Sequence, residues 1–365
     1  MKSEKIRGEL AGGSVIVPHA GGEELDRKSF GRDYRDGIKL TLVEAAYLLS
    51  KEKIEVMEDG ERLGFEAFFE RASAVDETFT ERYIVYRDLR ERGYHIQPSP
   101  TDFRIYPRGG EPGRVASRYL LHIISERERT PIKKLLKCIE TGENLKKEVI
   151  LAIVDEESDI TFYKLKKSDP RGRKETGRME DLKRRALPHG VNATLLRDRT
   201  IIWNREISEE LHNQGFYGRL LERYLQLSLV ETAYLLKNET ITLYQEKSGR
   251  RRVTYAEFTE LAERIEPDFK LKYLSYEDLR RRGLTPKTGF KFGAHFRTYR
   301  EPTITMERTT HSEYLIHAVP SDHAFQLSDF SRAARLAHSV RKQMIYAVVK
   351  SDNTITYLEV IRKKM

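Results

Sequence analysis

The chain is written twice. LTLVEAAYLLSKEKIEV (Leu40 to Val56) returns as LSLVETAYLLKNETITL (Leu227 to Leu243), and YIVYRDLRERGY (Tyr83 to Tyr94) returns as YLSYEDLRRRGL (Tyr273 to Leu284). DFRIYPR (Asp102 to Arg108) matches HFRTYRE (His295 to Glu301), and SRYLLHII (Ser117 to Ile124) matches SEYLIHAV (Ser312 to Val319). AIVDEESDITFYKL (Ala152 to Leu165) matches AVVKSDNTITYLEV (Ala347 to Val360). The order is kept and the offset drifts slowly, which marks a tandem duplication of a unit of roughly 170–190 residues. That period is too long for a solenoid, whose repeats run to about 20–45 residues. Whatever one copy folds into, the other must fold into as well.

Each copy reads as two halves. The first opens on strand-like pieces (Ser14 to Pro18; Thr200 to Asn204) and an apolar helix, LVEAAYLL or LVETAYLL. A short strand follows (Lys53 to Met57; Thr240 to Tyr244), then a second helix (Phe65 to Ala72; Tyr255 to Ile265). Thr254, with Glu257 three residues on, has the pattern of a capping box. The second half opens on a helix that DLRERG and DLRRRG end, with Gly93 and Gly283 at the stop position. Strands follow, with a helix expected near Ser328 to Val340 before the last pair. The fold class expected is α+β, each copy being an N-terminal α+β subdomain followed by a mixed-sheet, nuclease-like subdomain. The expected divisions are 1–82 and 83–168 for the first copy, 191–272 and 273–365 for the second. Between them, 169–190 is highly charged and poor in apolar residues, as a linker is, with a helical stretch expected from Met179.

Composition narrows the function classes. A length of 365 residues with 39% hydrophobic and 34% charged residues implies several charged domains with real cores. No run approaches the ~18 apolar residues of a membrane span, and MKSEKIRGELAGGSVIV has no signal-peptide apolar segment. Cys138 is the only cysteine, so an intrachain disulfide and a thiolate metal cluster are both excluded. A reducing cytoplasm is the expected compartment. The net charge of +9 suits a phosphate-bearing partner, although a plainly solvated surface accounts for it equally well.

The duplication supplies its own control. Tyr299 pairs with Tyr106 and Lys342 with Lys147, but His311 pairs with Ala116. The first copy also shows IQPSPTD (Ile96 to Asp102) where the second has the glycine-bearing KTGFKFG. The second copy is therefore the catalytic candidate and the first a scaffold. Tyr299, His311 and Lys342 offer a base, an acid and a fixed cation. That set suits attack of a ribose 2′-hydroxyl on its own phosphate, which needs no metal-activated water. Histidines ordinarily titrate near 6.5, within reach of acid–base work at neutrality. Phenols titrate near 10, so a tyrosine base needs a neighbouring cation or acts by positioning. The plain alternatives are a loop histidine, a half-buried strand tyrosine as in the first copy, and one more surface lysine. His295, His317 and His323 form no defensible ligand cluster, and His338 reads as helix surface. GFKFG lacks the ending of a phosphate-binding P-loop; its glycines suit a tight turn or close approach to a ligand.

KTGFKFGAHFRTYR, HSEYL, RAARLAHSVRK and ITYLEV, in this order from about Tyr273 to Val360, resemble the catalytic domain of the archaeal tRNA-intron endonucleases. The resemblance implies catalytic roles for Tyr299, His311 and Lys342. It implies that Arg335 stacks on a flipped-out base, with Arg362 as the candidate for a second such arginine. It also implies that the acidic turn of Asp155, Glu156, Glu157 and Asp159 inserts into a basic cleft on a neighbouring catalytic unit. Lys350 replaces the first of these acids in the second copy. The implied protein is a homodimer that cuts precursor tRNA, or another bulge–helix–bulge RNA, at both intron–exon junctions. It would leave 2′,3′-cyclic phosphate and 5′-hydroxyl ends, with no metal or other cofactor. The stretch between Tyr299 and His311 is slightly longer than is usual for the family. Two rivals follow from the residues alone. One is a non-catalytic RNA-binding subunit; the other is a metal-dependent nuclease, for which the Asp155–Asp159 turn is the nearest acidic group.

Overall fold

The computed structural model describes residues 6–20, 22–35, 37–172, 190–246, 249–300, 304–305, 308–309 and 311–365. Most of the charged linker, 173–189, lies outside the described residues, as does the helix expected from Met179. The chain divides into two compact units. The first runs to Lys166 and takes in Ala324–Ser331 and Ile361–Met365; the second is Lys167–His323 with Arg332–Val360.

In the first unit, a six-stranded mixed sheet has the order Arg32–Tyr34, Gly37–Thr41, Ser14–Pro18, Ile6–Ala11, Ile54–Glu58, Glu61–Leu63. Only the Ile6–Ala11 and Ile54–Glu58 pair is parallel. The connection across that pair carries helix Leu42–Ser50, as a parallel pair requires. Thr41 and Glu44 cap this helix reciprocally, satisfying two N–H groups that would otherwise be orphaned. A box of this kind is worth about 1 kcal/mol.

Next comes helix Phe79–Glu91. Phe79, Tyr83, Tyr86 and Leu89 recur at helical spacing, and all four are buried. Phe79 and Leu89 each contribute about 1.5–3 kcal/mol by leaving water. Arg92 and Gly93 end the helix, with Gly93 at φ 81°. Five strands then follow in the spatial order Ile96–Pro98, Phe103–Ile105, Tyr119–Ser125, Glu148–Val154, Ile160–Ser168. Tyr119–Ser125 and Glu148–Val154 are parallel, and helix Ile132–Asn144 crosses between them. Ala324–Gln326, late in the sequence, pairs with Arg129–Pro131 in this unit.

The second unit repeats the plan. Its six-stranded sheet has the order Arg219–Leu221, Tyr224–Leu227, Arg199–Ile202, Val191–Leu196, Ile241–Gln245, Arg251–Val253. Helix Leu229–Lys237 carries a Ser228–Glu231 capping box, and helix Tyr255–Ile265 carries the box expected from Thr254 and Glu257. Helix Phe269–Arg281 buries Phe269, Tyr273, Tyr276 and Leu279 at the same spacing as its counterpart. Five strands follow in the order Thr285–Thr288, Phe296–Tyr299, Tyr314–Pro320, Gln343–Val349, Ile355–Lys363. The fold is α+β with a duplicated pair of subdomains. Each unit has one continuous core running from its first subdomain into its second. Among the described residues no helix is long and apolar enough to cross a membrane.

Candidate active site

Strand register decides which side chains meet. In the second unit Thr298 lies opposite Tyr314, and Tyr314 opposite Gln343. Tyr299 is the last residue of its strand, His311 lies three residues before the next strand, and Lys342 comes just before the strand after that. All three therefore gather at one end of the sheet.

Lys342 is placed by backbone chemistry. Helix Leu327–Ser339 ends, Arg341 takes a left-handed conformation at φ 56°, and the Lys342 N–H donates to the Ala337 carbonyl at 2.8 Å. The Lys342 ammonium then donates to the Ser312 carbonyl at 2.7 Å. Ser312 is buried and directly follows His311, which is exposed. Partial burial pulls the Lys342 ammonium below the ordinary lysine range, and neighbouring Arg297 pulls the same way; Glu313 opposes them. Lys342 also sits 5.8 Å from the centre of the Phe292 ring.

Tyr299 is 9% exposed, and its hydroxyl forms no hydrogen bond among the described residues. Arg297, two residues back on the same strand, shares its face, with the guanidinium carbon 5.9 Å from the Tyr299 ring centre. Phe296 goes into the core. Arg297 is thus a second cation beside Tyr299 and Lys342, and sequence reasoning passed it over. The reason is that Arg104 stands in the same place in the first copy, so the internal control shows no contrast there. Glu313 accepts the Arg300 N–H at 3.1 Å, and the Arg300 side chain reaches the Arg171 carbonyl at 3.1 Å.

Lys287, which opens the KTGFKFG stretch, does not belong to this group. Its ammonium donates to the Phe216 carbonyl at 2.8 Å, the Gly218 carbonyl at 2.6 Å and Glu231 Oε1 at 3.2 Å. Burial lowers its pKa, and the Glu231 carboxylate restores part of the loss. This lysine pins the two subdomains of the second unit together.

The remaining expected residues are placed separately. Arg335 is exposed on helix Leu327–Ser339, in the same unit as Lys342. Aligning this thirteen-residue helix with its thirteen-residue counterpart Ile132–Asn144 sets Arg335 against Glu140, a reversal of charge. Arg362 and the acidic turn belong to the first unit. In that turn Asp155 accepts the Asp159 N–H at 2.8 Å and the Glu157 N–H at 3.1 Å, and Glu156 pairs with Arg127 at 2.7 Å. Two of its four acids are therefore occupied in shaping it, while Glu157 and Asp159 carry no side-chain partner among the described residues. His295 and His317 stack at 3.9 Å, and the His295 Nδ1 accepts the Ala318 N–H at 3.0 Å. Burial, then neighbouring His317, pushes the His295 imidazole down to about 3, and burial, then neighbouring His323, pushes His317 down to about 4, as suits packed neutral rings. Among the described residues no three His, Cys, Asp or Glu side chains gather as metal ligands. Residues 301–303, 306–307 and 310, in the stretch noted as long, lie outside the described residues.

The fold and its sheet ends define a duplicated α+β protein whose second copy sets His311 beside a lysine where the first copy has Ala116. Comparison with known proteins gives that class a family. Residues 79–162 and 269–357 match the tRNA intron endonuclease catalytic C-terminal domain, and residues 6–69 and 191–259 match its N-terminal domain. A tRNA-splicing endonuclease of Methanosarcina barkeri is 47% identical over 362 residues, covering 99% of this chain and 100% of its own length. Those of Methanococcoides burtonii and Halobacterium salinarum are 43% and 34% identical, each covering 97% or more of both chains. The chain belongs to the tRNA intron endonuclease family, and it is an endonuclease.

Proposed function

We propose that the protein cuts precursor tRNA at both intron–exon junctions of a bulge–helix–bulge, by metal-free transesterification at the second-unit site. The observation that carries this reading is the Lys342 ammonium held at 2.7 Å by the carbonyl of the residue next to His311. Tyr299 ends the neighbouring strand at the same sheet end. In the reaction the 2′-oxygen bonds to the adjacent phosphorus and the bond to the 5′-oxygen breaks. Tyr299 receives the 2′-hydroxyl proton, and His311 gives a proton to the departing 5′-oxygen. Lys342, with Arg297 beside it, offsets charge on the phosphorane-like transition state. The products are a 2′,3′-cyclic phosphate and a 5′-hydroxyl.

The exposed Arg335 and Arg362 take the bulge bases, which suits a planar guanidinium. The Asp155–Asp159 turn serves assembly: two chains form a homodimer with one site each, matched to the two junctions. The relatives' names, tRNA-splicing endonuclease, support the substrate class. The test incubates the protein with a labelled intron-containing precursor tRNA in excess EDTA. Two cuts ending in cyclic phosphate are expected. Binding without cutting would point to a recognition subunit, and cutting only with added magnesium to a metal nuclease.

A further inference from the structure

Phe290 is 88% exposed, the most exposed of the large apolar side chains among the described residues. Water around a whole phenyl ring is unfavourable, so a fold that holds one outward invites a reason. The turn that carries it is built with care. Residues Phe290–Phe292 form one 3-10 turn between strands Thr285–Thr288 and Phe296–Tyr299. The Gly289 N–H donates to the His295 carbonyl at 3.0 Å, the Phe292 N–H to the Gly289 carbonyl at 2.8 Å, and the Gly293 N–H to the Phe290 carbonyl at 3.0 Å. Gly293 is left-handed at φ 63°, and a Cβ on Gly289 would come within 2.8 Å of the Ala294 carbonyl oxygen. The backbone hydrogen bonds hold the turn that presents the ring, so the Cα position of Phe290 is set before any ligand arrives.

The turn also belongs to the active site. The Phe292 ring lies 5.8 Å from the Lys342 ammonium, and Phe290 is two residues away on the same turn. Lys291, between them, is exposed and adds a cation. The first copy sharpens the point. Its strands Ile96–Pro98 and Phe103–Ile105 are joined through Ser99, Pro100, Thr101 and Asp102, with no aromatic ring. The copy that lost the histidine has no aromatic turn either.

We propose that Phe290 is a stacking platform for an unpaired nucleobase flanking the cut, and so a substrate-binding residue for the proposed RNA cleavage, on which this inference rests. An aromatic face beside a cation that meets phosphate is how proteins hold unstacked bases without reading their sequence. A second copy of the chain is the other possible occupant, and the experiment separates the two.

The experiment uses the full-length protein with a precursor tRNA transcript carrying 2-aminopurine at nucleotides flanking one cut. The parent should quench the probe at one of these positions. Phe290→Leu, apolar but without a π-face, should lose the quench and lower kcat/KM by about fivefold to a hundredfold. Phe290→Trp should restore both relative to Phe290→Leu. Parent-like quenching and cleavage in Phe290→Leu would overturn the inference. So would a drop in molar mass with the quench intact, which would assign the ring to a protein interface. If the parent itself leaves the transcript whole, the functional reading fails first, and the stacking role falls with it.

Discussion

The two copies hold their lysines in the same way and use them in different surroundings. Lys147 donates to the Ser117 carbonyl at 2.7 Å, as Lys342 does to Ser312. Each follows a left-handed residue, Lys146 at φ 54° or Arg341 at φ 56°, and each is pulled below the ordinary lysine range, mostly by partial burial. Both also have a strand arginine nearby, Arg104 or Arg297, and the difference lies in the other neighbours. In the first copy the Tyr106 hydroxyl is tied to Gln97 at 2.8 Å. Glu148 takes ion pairs from Arg118 at 3.0 Å, Lys164 at 2.8 Å and Lys363 at 3.4 Å. In the second copy the matching positions are Glu313 for Arg118 and Gln343 for Glu148, and the tyrosine hydroxyl is untied among the described residues. The lysine is thus a joint of the fold. On the proposed function, the site lies in the copy whose tyrosine hydroxyl is left untied among the described residues and whose histidine is present.

The largest effect should come from making the second copy resemble the first. His311→Ala should lower the single-turnover cleavage rate by about 10²–10⁴-fold, the usual cost of losing a general acid. Binding of the RNA, measured by gel shift, should be little changed. A rate within tenfold of the parent would end the acid role of this histidine.

The lysines split the comparison next. Lys342→Met should slow cleavage by about a hundredfold or more, as the loss of a fixed transition-state charge does. Lys147→Met should leave cleavage within about twofold of the parent. Both should lose about 1–2 kcal/mol of stability in urea melts, because each strands a carbonyl. Equal effects on cleavage would show that the two copies share one catalytic duty.

Much of this was legible in the sequence, and the exceptions have physical causes. Duplicated segments, the Thr254–Glu257 cap and the Gly93 and Gly283 stops were readable because each is a local, chemically forced signal. Helix Arg205–Gly215 was not, since its counterpart Glu23–Arg27 is five residues long and the copies diverge there. Strand Val191–Leu196 alternates buried and exposed residues, but Asn192 and Thr194 dilute its apolar signal. In the site, His311 stood out by contrast with Ala116. Arg297 was hidden because both copies keep it, and the inward turn of Lys287 depends on carbonyls some seventy residues earlier in the chain.

A smaller effect tests the ion pairs that fill the first copy. Burial alone would raise the Glu148 carboxyl, but hydrogen bonds from Lys164 and Arg118, with Lys363 nearby, bring it down to about 2. A carboxylate held low stabilises the fold fully above its unfolded pKa of about 4.3, and that stabilisation fades as pH falls toward about 2. Glu148→Gln, which copies Gln343, should therefore cost about 1–2 kcal/mol at pH 7 after allowance for solvent screening. Its thermal midpoint should approach the parent's as the pH is lowered from 5 toward 3. A gap that stays constant over that range would mean that Glu148 acts through packing and not through its charge.

The smallest expected effect is none. Ala116→His puts an imidazole beside the Lys147 joint and so restores, by residue type, all three groups in the first copy. It should not create a cutting site. Tyr106 is already bonded to Gln97, Glu148 and its three cations occupy the place of Gln343, and the neighbouring turn carries no ring to hold a base. Glu140 further sets a negative charge where the second copy has Arg335, which would repel a phosphate backbone. The measurement is cleavage by the double variant Ala116→His, His311→Ala beside that of His311→Ala alone, so that any rate above the single variant's must come from the first copy. Equal residual rates are the expected result. A double variant clearly faster than the single one, with cyclic phosphate ends, would show that the histidine alone separates a working copy from a structural one, and that the surrounding differences are later drift.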